Sequence, residues 1–240
     1  MMQDTHANQE SLIFQTGSNV KLIHKAELCK SIIADGKELI TGNERGPLRV
    51  PELKSPKVYI TFKENLTDLS MAFYGCTALL EISERLFANC PEVTAFTGTF
   101  LRCDGLAEIP ENLFANNLEV KSFYMTFSNC YSLISIPENL FVHNQKATSF
   151  GSIFECCTSL TSIPSSLFDN NRKLEVVSGL FDGCTALTGE SPYTMIDGQK
   201  VHLYERTNFP NNFTAPTLSR LTFTHCTGLT DYAQIPNSWK

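Results

Sequence analysis

The dominant pattern of this chain is a set of apolar positions that return every 27 residues between Phe73 and Leu187. Each unit carries a phenylalanine, then a cysteine, a leucine, an isoleucine, a Leu-Phe pair and a Val-x-x-Phe segment that leads into the next unit. A strict period of this size indicates units that cannot bury their apolar sides alone and therefore stack on one another. The clearest series are Phe73, Phe100, Phe127, Phe154 and Phe181; Cys76, Cys103, Cys130, Cys157 and Cys184; and Leu79, Leu106, Leu133, Leu160 and Leu187.

The residues between these positions predict the local structure of one unit. In three units the isoleucine precedes proline, and a residue before proline is pushed toward extended geometry. Proline also suits the first position of a short helix, and asparagine tolerates the left-handed conformation that ends one. The pattern predicts a short strand, a turn or short helix at Pro-x-x-Leu-Phe, and a return through Val-x-x-Phe that fits either an extended or a helical path. The residues concerned are Ile109, Ile136 and Ile163 before proline, and Asn89, Asn116 and Asn170 after the turn, with His143 in the third unit.

The periodicity divides the chain into four parts. Residues 1–17 are polar and predict a disordered N-terminus, and residues 18–63 predict a cap on the array that spans residues 64–190, because exposed ends of stacked repeats need a lid. Within the cap, apolar residues from Leu22 to Ile33 recur at helical spacing, whereas the alternation from 57 to 62 predicts a strand.

The fourth part, residues 191–240, predicts a hairpin insertion, a last repeat and a C-terminal cap. The interval from Cys184 to Cys226 is 42 residues, which is one period plus 15. Asp197-Gly198 between apolar runs is a strong hairpin signal. The single tryptophan, Trp239, is the candidate cap residue.

The spacing Phe-x-x-Cys-x-x-Leu-x-x-Ile-Pro resembles the BspA-like class of leucine-rich repeats found on bacterial cell surfaces. The resemblance covers about residues 64–190 and returns from Phe223 to Leu229. It departs from the pattern at Ser83, which replaces proline, and at Val177, which replaces phenylalanine. The resemblance and the period together predict a right-handed leucine-rich-repeat solenoid, with short parallel strands, short helices or turns, and caps at both ends. The resemblance also implies a secreted or cell-surface protein that adheres to other cells or to host proteins.

Charge and hydropathy narrow the possible partners. The net charge of −6 disfavours nucleic acid, which requires clustered lysine and arginine. No run approaches the ~20 apolar residues of a membrane-spanning helix. The first residues lack the basic start and apolar core of a signal peptide, so the protein is either cytosolic or exported after removal of its signal. The family resemblance favours the second, an extracellular location.

The sequence offers little for catalysis or metal binding. The nine cysteines include five at one repeat position, which are read as small buried side chains rather than disulfides or metal ligands. Glycine-rich phosphate loops, zinc-protease helices and nucleophile elbows are missing from the sequence. The adjacent His225 and Cys226 are read as structural, because neighbouring residues rarely face each other. The sequence therefore predicts a protein that is not an enzyme and carries no metal or cofactor.

The candidate ligand face consists of residues at variable positions of the repeat. Aromatic side chains recur at binding hot spots, and two carboxylates share one phase of the repeat. The leading hypothesis is binding of a protein on a host or neighbouring cell; the alternatives are a carbohydrate-binding component, which requires exposed aromatic platforms, and a structural spacer without a specific ligand. The candidate residues are Tyr74, Tyr124, Tyr131, Glu81 and Glu108.

Overall fold

The structure is a computed structural model that describes residues 10–240. Its regular elements are short strands in three antiparallel sheets and three short 3-10 helices. The strands are β1 (Glu10–Phe14), β2 (Gly17–Ile23), β3 (Cys29–Ala34), β4 (Lys37–Glu38), β5 (Leu48–Leu53), β6 (Lys57–Phe62), β7 (Leu79–Ile82), β8 (Tyr193–Ile196) and β9 (Gln199–His202). The helices are η1 (Ala26–Leu28), η2 (Leu203–Asn208) and η3 (Asn237–Trp239).

The N-terminal part is a five-stranded sheet in the order β4-β3-β6-β1-β7, with β2 and β5 paired beside it. Alternation along β6 buries Val58, Ile60 and Phe62, as expected of a strand with one covered face. The strand predicted over residues 57–62 is therefore confirmed. The ring of Phe62 lies 6.2 Å from that of Phe73, which joins this sheet to the first repeat.

Two predictions for the N-terminal part require revision. The helix predicted from the apolar spacing between Leu22 and Ile33 is wrong, because these residues lie in β2, η1 and β3. The apolar residues satisfy both periods over so short a stretch, and pairing with β5 and β6 selects the extended form. Of the segment predicted to be disordered, residues 1–9 lie outside the described residues. Glu10–Phe14 form β1, which buries Leu12 and Phe14.

The predicted leucine-rich-repeat solenoid is wrong. Between residues 64 and 190 the structure has one named strand, β7, and no helix. That strand pairs antiparallel with β1 and not in parallel with the next repeat. The short parallel strands predicted for each repeat do not form, whereas the Pro-x-x-Leu-Phe segments, predicted as turns or short helices, are turns. The repeats consist of turns, joined by single parallel bridges 27 residues apart such as Ala95–Ser122 and Ser122–Ser149.

Backbone hydrogen bonds between repeats explain how turns alone can stack. Alternate N–H groups of one repeat donate to carbonyl oxygens of the next, as in Phe123 to Ser149 (2.8 Å) and Met125 to Gly151 (3.0 Å). Other N–H groups donate within their own repeat to a carbonyl three residues earlier, as in Thr126 to Phe123 (3.1 Å). The buried main-chain groups are thus satisfied without strands or helices.

The core is made of side-chain rows that run through the stacked turns. The ring of Phe127 stacks on Phe100 (centroids 5.4 Å apart) and on Phe154 (5.9 Å). The cysteine row lies beside it, and the Cys130 thiol donates to the Phe100 carbonyl oxygen at 3.3 Å. Burial raises the pKa of the Cys130 thiol to about 12. The interpretation of the repeated cysteines as buried packing residues is confirmed by their placement.

Each repeat contains two left-handed residues, which explains why no strand persists there. The first position holds glycine in some repeats, as at Gly98 and Gly179, and larger residues in others, as at Leu221 (φ 61°). The asparagines predicted to be left-handed are not; positive φ angles fall elsewhere in the described residues. A left-handed residue reverses the extended path of the backbone. The two rows are Met71, Gly98, Met125, Ser152, Gly179 and Leu221, and Gly75, Arg102, Asn129, Cys156, Gly183 and His225.

We expect Leu221→Gly to raise the free energy of unfolding by about 0.5–1 kcal/mol. The left-handed conformation destabilises the folded state with leucine by more than the added flexibility of glycine stabilises the unfolded chain. Leu221 is 49% exposed, so little packing is lost. Urea unfolding followed by Trp239 fluorescence measures the change. Leu118→Gly is the matched control, since Leu118 is 51% exposed and is not left-handed. Equal destabilisation by both variants would contradict the assignment of strain to position 221.

The insertion before the last repeat forms the hairpin that the sequence predicts. Strands β8 and β9 pair antiparallel, and Asp197 (φ 50°) and Gly198 (φ 83°) make the connecting turn. The chain then continues through η2 into the last repeat. Near its end, Trp239 is buried and its ring lies 6.4 Å from that of Phe223, nearly parallel to it. The predicted packing of this tryptophan over the last repeat is confirmed.

Candidate functional site

The three candidate tyrosines lie in different surroundings. Tyr74 is half-buried against the N-terminal part, with its ring 5.1 Å from the His24 ring and 5.2 Å from the Lys21 ammonium. Tyr124 is 37% exposed and leans over Gly151, where an added Cβ would lie 3.1 Å from its ring. Tyr131 is 39% exposed. The structure does not bring these rings into contact with one another.

The two candidate carboxylates, Glu81 and Glu108, lie together. They line one shallow surface depression of about 220 Å³ with Ile82, Ile109 and Pro110. Glu81 is fixed by β7, where it pairs with Ile13 of β1. Both carboxylates are exposed, and an open acidic depression of this kind is solvated.

Tyr131 and Ile134 are two exposed apolar side chains on one central repeat. They are 39% and 51% exposed, and they follow one another by three residues in the same turn segment. The Tyr131 hydroxyl donates to Asn129 Oδ1 at 2.9 Å, which orients the ring. The Ile134 N–H donates to the Ala107 carbonyl at 3.1 Å. These bonds hold both side chains outward on a fixed backbone.

The next repeat extends this surface with threonines. Thr158 and Thr161 occupy the positions of Tyr131 and Ile134 one period later, and both are exposed. The Thr161 N–H and hydroxyl both donate to the Ile134 carbonyl, at 3.2 and 3.3 Å. We call Tyr131, Ile134, Thr158 and Thr161 the Tyr131 face. It is an uncharged surface, held by hydrogen bonds between repeats, on a protein with a net charge of −6.

The Lys21 side chain covers the end of the first repeat. The Lys21 ammonium donates to the Tyr74 carbonyl oxygen and lies 3.0 Å from His24 Nδ1. Partial burial lowers the pKa of the Lys21 ammonium. Burial also lowers the pKa of His24, and the neighbouring Lys21 charge adds to the effect. Lys21 therefore satisfies a carbonyl that a preceding repeat would otherwise bond, which is a structural role.

A buried row of asparagines, which the sequence analysis missed, runs through the stack. Asn144 Nδ2 donates to the carbonyl oxygens of Phe114 (3.1 Å) and Asn117 (2.9 Å) in the preceding repeat. Asn117 makes the same pair of bonds one repeat earlier, and Asn171 Nδ2 donates to the Asn144 carbonyl at 2.9 Å. The signal was available, because Asn117, Asn144 and Asn171 are also spaced by 27 residues.

Arg206 of η2 ends this row. Its guanidinium donates to the carbonyl oxygens of Asn171 (3.0 Å) and Phe168 (2.9 Å), the same two acceptors that an asparagine of a following repeat would use. It also donates to Thr194 Oγ1 at 3.1 Å and lies 4.3 Å from the Phe213 ring centroid. Burial lowers the pKa of Arg206 to about 10. Arg206 lies in the insertion and does not recur at the repeat spacing, so the sequence period does not reveal it.

The described residues show no metal-binding group of side chains and no membrane-spanning helix. Within residues 10–240, histidine, cysteine and acidic side chains do not form a group of three or more that could hold a metal ion. Over the same range, the helices are all too short or too polar to cross a bilayer. Comparison with protein-family models and with curated proteins finds no match. The candidate site is the Tyr131 face, whose exposed side chains are oriented by hydrogen bonds.

Proposed function

We propose that this protein is a non-enzymatic binding protein that attaches to a protein partner through the Tyr131 face, in an extracellular or cell-surface setting. The observation that carries the proposal is the outward, oriented exposure of Tyr131 and Ile134 on a backbone fixed by bonds to neighbouring repeats. A preorganised surface loses little conformational entropy on association. Aromatic residues surrounded by polar ones are typical of the centre of a protein interface.

The composition of this face favours a protein partner over nucleic acid or an anionic lipid surface. Its four side chains combine an aromatic ring, an aliphatic group and two hydroxyls, without a charge. Nucleic acid and anionic lipid surfaces require clustered cations. A carbohydrate ligand would stack on an aromatic platform, and Tyr131 with the neighbouring threonine hydroxyls is the arrangement that makes a glycan the second candidate.

Labelled protein added to intact cells tests the binding function. We expect Tyr131→Ala/Ile134→Ala to reduce cell binding about tenfold or more, because hot-spot residues each contribute roughly 1–2 kcal/mol. Leu118→Ala is the matched control: it removes an equally exposed apolar side chain outside this face and should leave binding unchanged. Flow cytometry gives the readout, and circular dichroism checks that the variants are folded.

Treatment of the cells separates the candidate partners. Loss of binding after trypsin treatment supports a protein partner, whereas loss after periodate oxidation alone identifies a glycan. Equal binding by the double variant and by Leu118→Ala would refute the Tyr131 face. Mild protease treatment of intact producing cells tests the location: release of peptides such as 122–146 supports an extracellular protein, and their release only after lysis argues against it.

A further inference from the structure

His202 stands at the junction of the inserted hairpin and the last repeat. It is the last residue of β9, it precedes η2, and its side chain is 13% exposed. Its Nδ1 lies 3.0 Å from Glu205 Oε2, and its Nε2 lies 3.0 Å from Glu190 Oε1. Glu205 Oε2 also accepts the backbone N–H of His202 at 2.9 Å. The His202 imidazole thus contacts both Glu190, which precedes the hairpin, and Glu205, which follows it.

The two contacts fix the protonation state that this geometry requires. Carboxylates only accept hydrogen bonds, and a neutral imidazole has a single N–H to donate. An imidazolium has two N–H groups and satisfies both carboxylates. With a neutral ring, either Glu190 or Glu205 would face a nitrogen lone pair. Both bonds therefore exist together only while His202 carries its second proton.

We propose that His202 is a protonation-dependent latch that ties the end of the inserted hairpin to Glu190, which precedes the hairpin, and to Glu205 of η2, which follows it. The latch is closed while the ring carries both protons, and it loosens when a rise in pH removes the second proton. This regulation is independent of the proposed ligand face. It acts at the C-terminal end of the stack, on β8, β9 and η2.

The remaining charged groups around the His202 ring are consistent with a protonated imidazole. Asp231 Oδ2 lies 3.7 Å from His202 Nε2, and it already accepts hydrogen bonds from the hydroxyls of Ser191 and Tyr204. Lys200 donates to Glu190 Oε2 at 2.6 Å. The hydrogen bonds from Lys200 and His202 lower the pKa of Glu190, so this carboxylate stays ionised into the acidic range. Imidazolium and ammonium together oppose three carboxylates.

The ring also has packing contacts that would report its movement. It stacks on Tyr204 at 5.1 Å with an angle of 10°, and Tyr193 meets it edge-on at 5.7 Å. Tyr204 in turn lies 6.5 Å from the ring of Trp239, the only tryptophan of the chain. Loosening of the latch should therefore change both amide exchange in the hairpin and tryptophan emission.

Amide hydrogen exchange of residues 193–202, measured in mildly acidic solution at about pH 5.5 and in mildly alkaline solution at about pH 8.5, tests the latch. The informative variant is Glu190→Gln, whose amide can donate to Nε2 of a neutral ring and still accept from Lys200. At the higher pH we expect these amides to exchange about tenfold faster in the unmodified protein than in Glu190→Gln, which corresponds to one charge-assisted hydrogen bond. Comparing proteins at one pH removes the intrinsic pH dependence of exchange.

Two further variants complete the test. His202→Gln should abolish the pH response of Trp239 emission, because its side chain does not titrate. His225→Gln is the matched control: His225 faces a single carboxylate, Asp182, at 3.2 Å and is 68% exposed, so its loss should leave the response intact. Equal exchange in the unmodified protein and Glu190→Gln at both pH values would overturn the latch, as would a pH response that disappears in His225→Gln.

Discussion

Replacing Arg206 by alanine is expected to lower the free energy of unfolding by about 3–5 kcal/mol, because three buried hydrogen-bond acceptors lose their donor at roughly 1–3 kcal/mol each. The guanidinium satisfies the Asn171 and Phe168 carbonyls and Thr194 Oγ1, and without it these buried acceptors lose their donor. The ring of Phe213 loses its cation at the same time. Because Arg206 is 2% exposed, water does not replace these contacts without opening the structure.

Urea unfolding of the two proteins measures this effect, with Trp239 fluorescence as the signal. Arg172→Ala is the matched control, since its guanidinium lies 5.8 Å from the same Phe213 ring but is exposed to solvent. We expect this control to change stability by less than about 0.5 kcal/mol. Arg206→Lys should fall between the two, because an ammonium keeps the charge and loses the fork that reaches two carbonyls. Similar losses for both alanine variants would contradict the role of Arg206 as the end of the asparagine row.

The sequence period predicted which residues are buried but not the backbone that buries them. The series containing Phe127, Cys130 and Leu133 lies in the core as the pattern indicates. Turns take the place of the parallel strands expected around them. A 27-residue period specifies only that the chain returns to the same place, and several backbone paths have that property. The choice depends on left-handed residues, and only some of these, such as Gly98, are glycines that reveal themselves in a sequence.

The polar interior was harder to predict for a different reason. Asn116 and Asn117 are adjacent, and a single sequence does not say which of two neighbouring asparagines faces inward. The predicted structural role fell on the row that contains Asn116, which is exposed. Arg206 and His202 gain their partners through the insertion, so their contacts depend on how the hairpin folds back. At the candidate site, Tyr131 was predicted correctly as exposed, whereas Tyr74 is occupied by the N-terminal part.

The asparagine row gives the second large effect. Asn144→Asp keeps the size of the side chain but turns a buried donor into a carboxylate that faces the carbonyl oxygens of Phe114 and Asn117. At neutral pH we expect a loss of about 3–5 kcal/mol, as for an uncompensated buried charge. Asn116→Asp is the matched control, because Asn116 is the exposed neighbour of Asn117, the buried asparagine that corresponds to Asn144 one repeat earlier, and its change should cost less than about 0.5 kcal/mol.

The pH dependence of Asn144→Asp distinguishes a buried charge from a simple packing defect. The folded state raises the pKa of the new carboxyl above the value near 3.9 that it has in the unfolded chain, because burial and the carbonyl oxygens oppose ionisation. The folded state then binds more protons than the unfolded state, so stability falls as the pH rises above that value, by up to about 1.4 kcal/mol per pH unit. Below about pH 4 the protonated carboxyl donates to one carbonyl, and most of the loss should be recovered. Urea unfolding at several pH values, with the unmodified protein measured in parallel, gives the difference. A loss that stays constant across this range would mean that Asn144 matters for its shape alone and that its amide hydrogen bonds do not stabilise the stack.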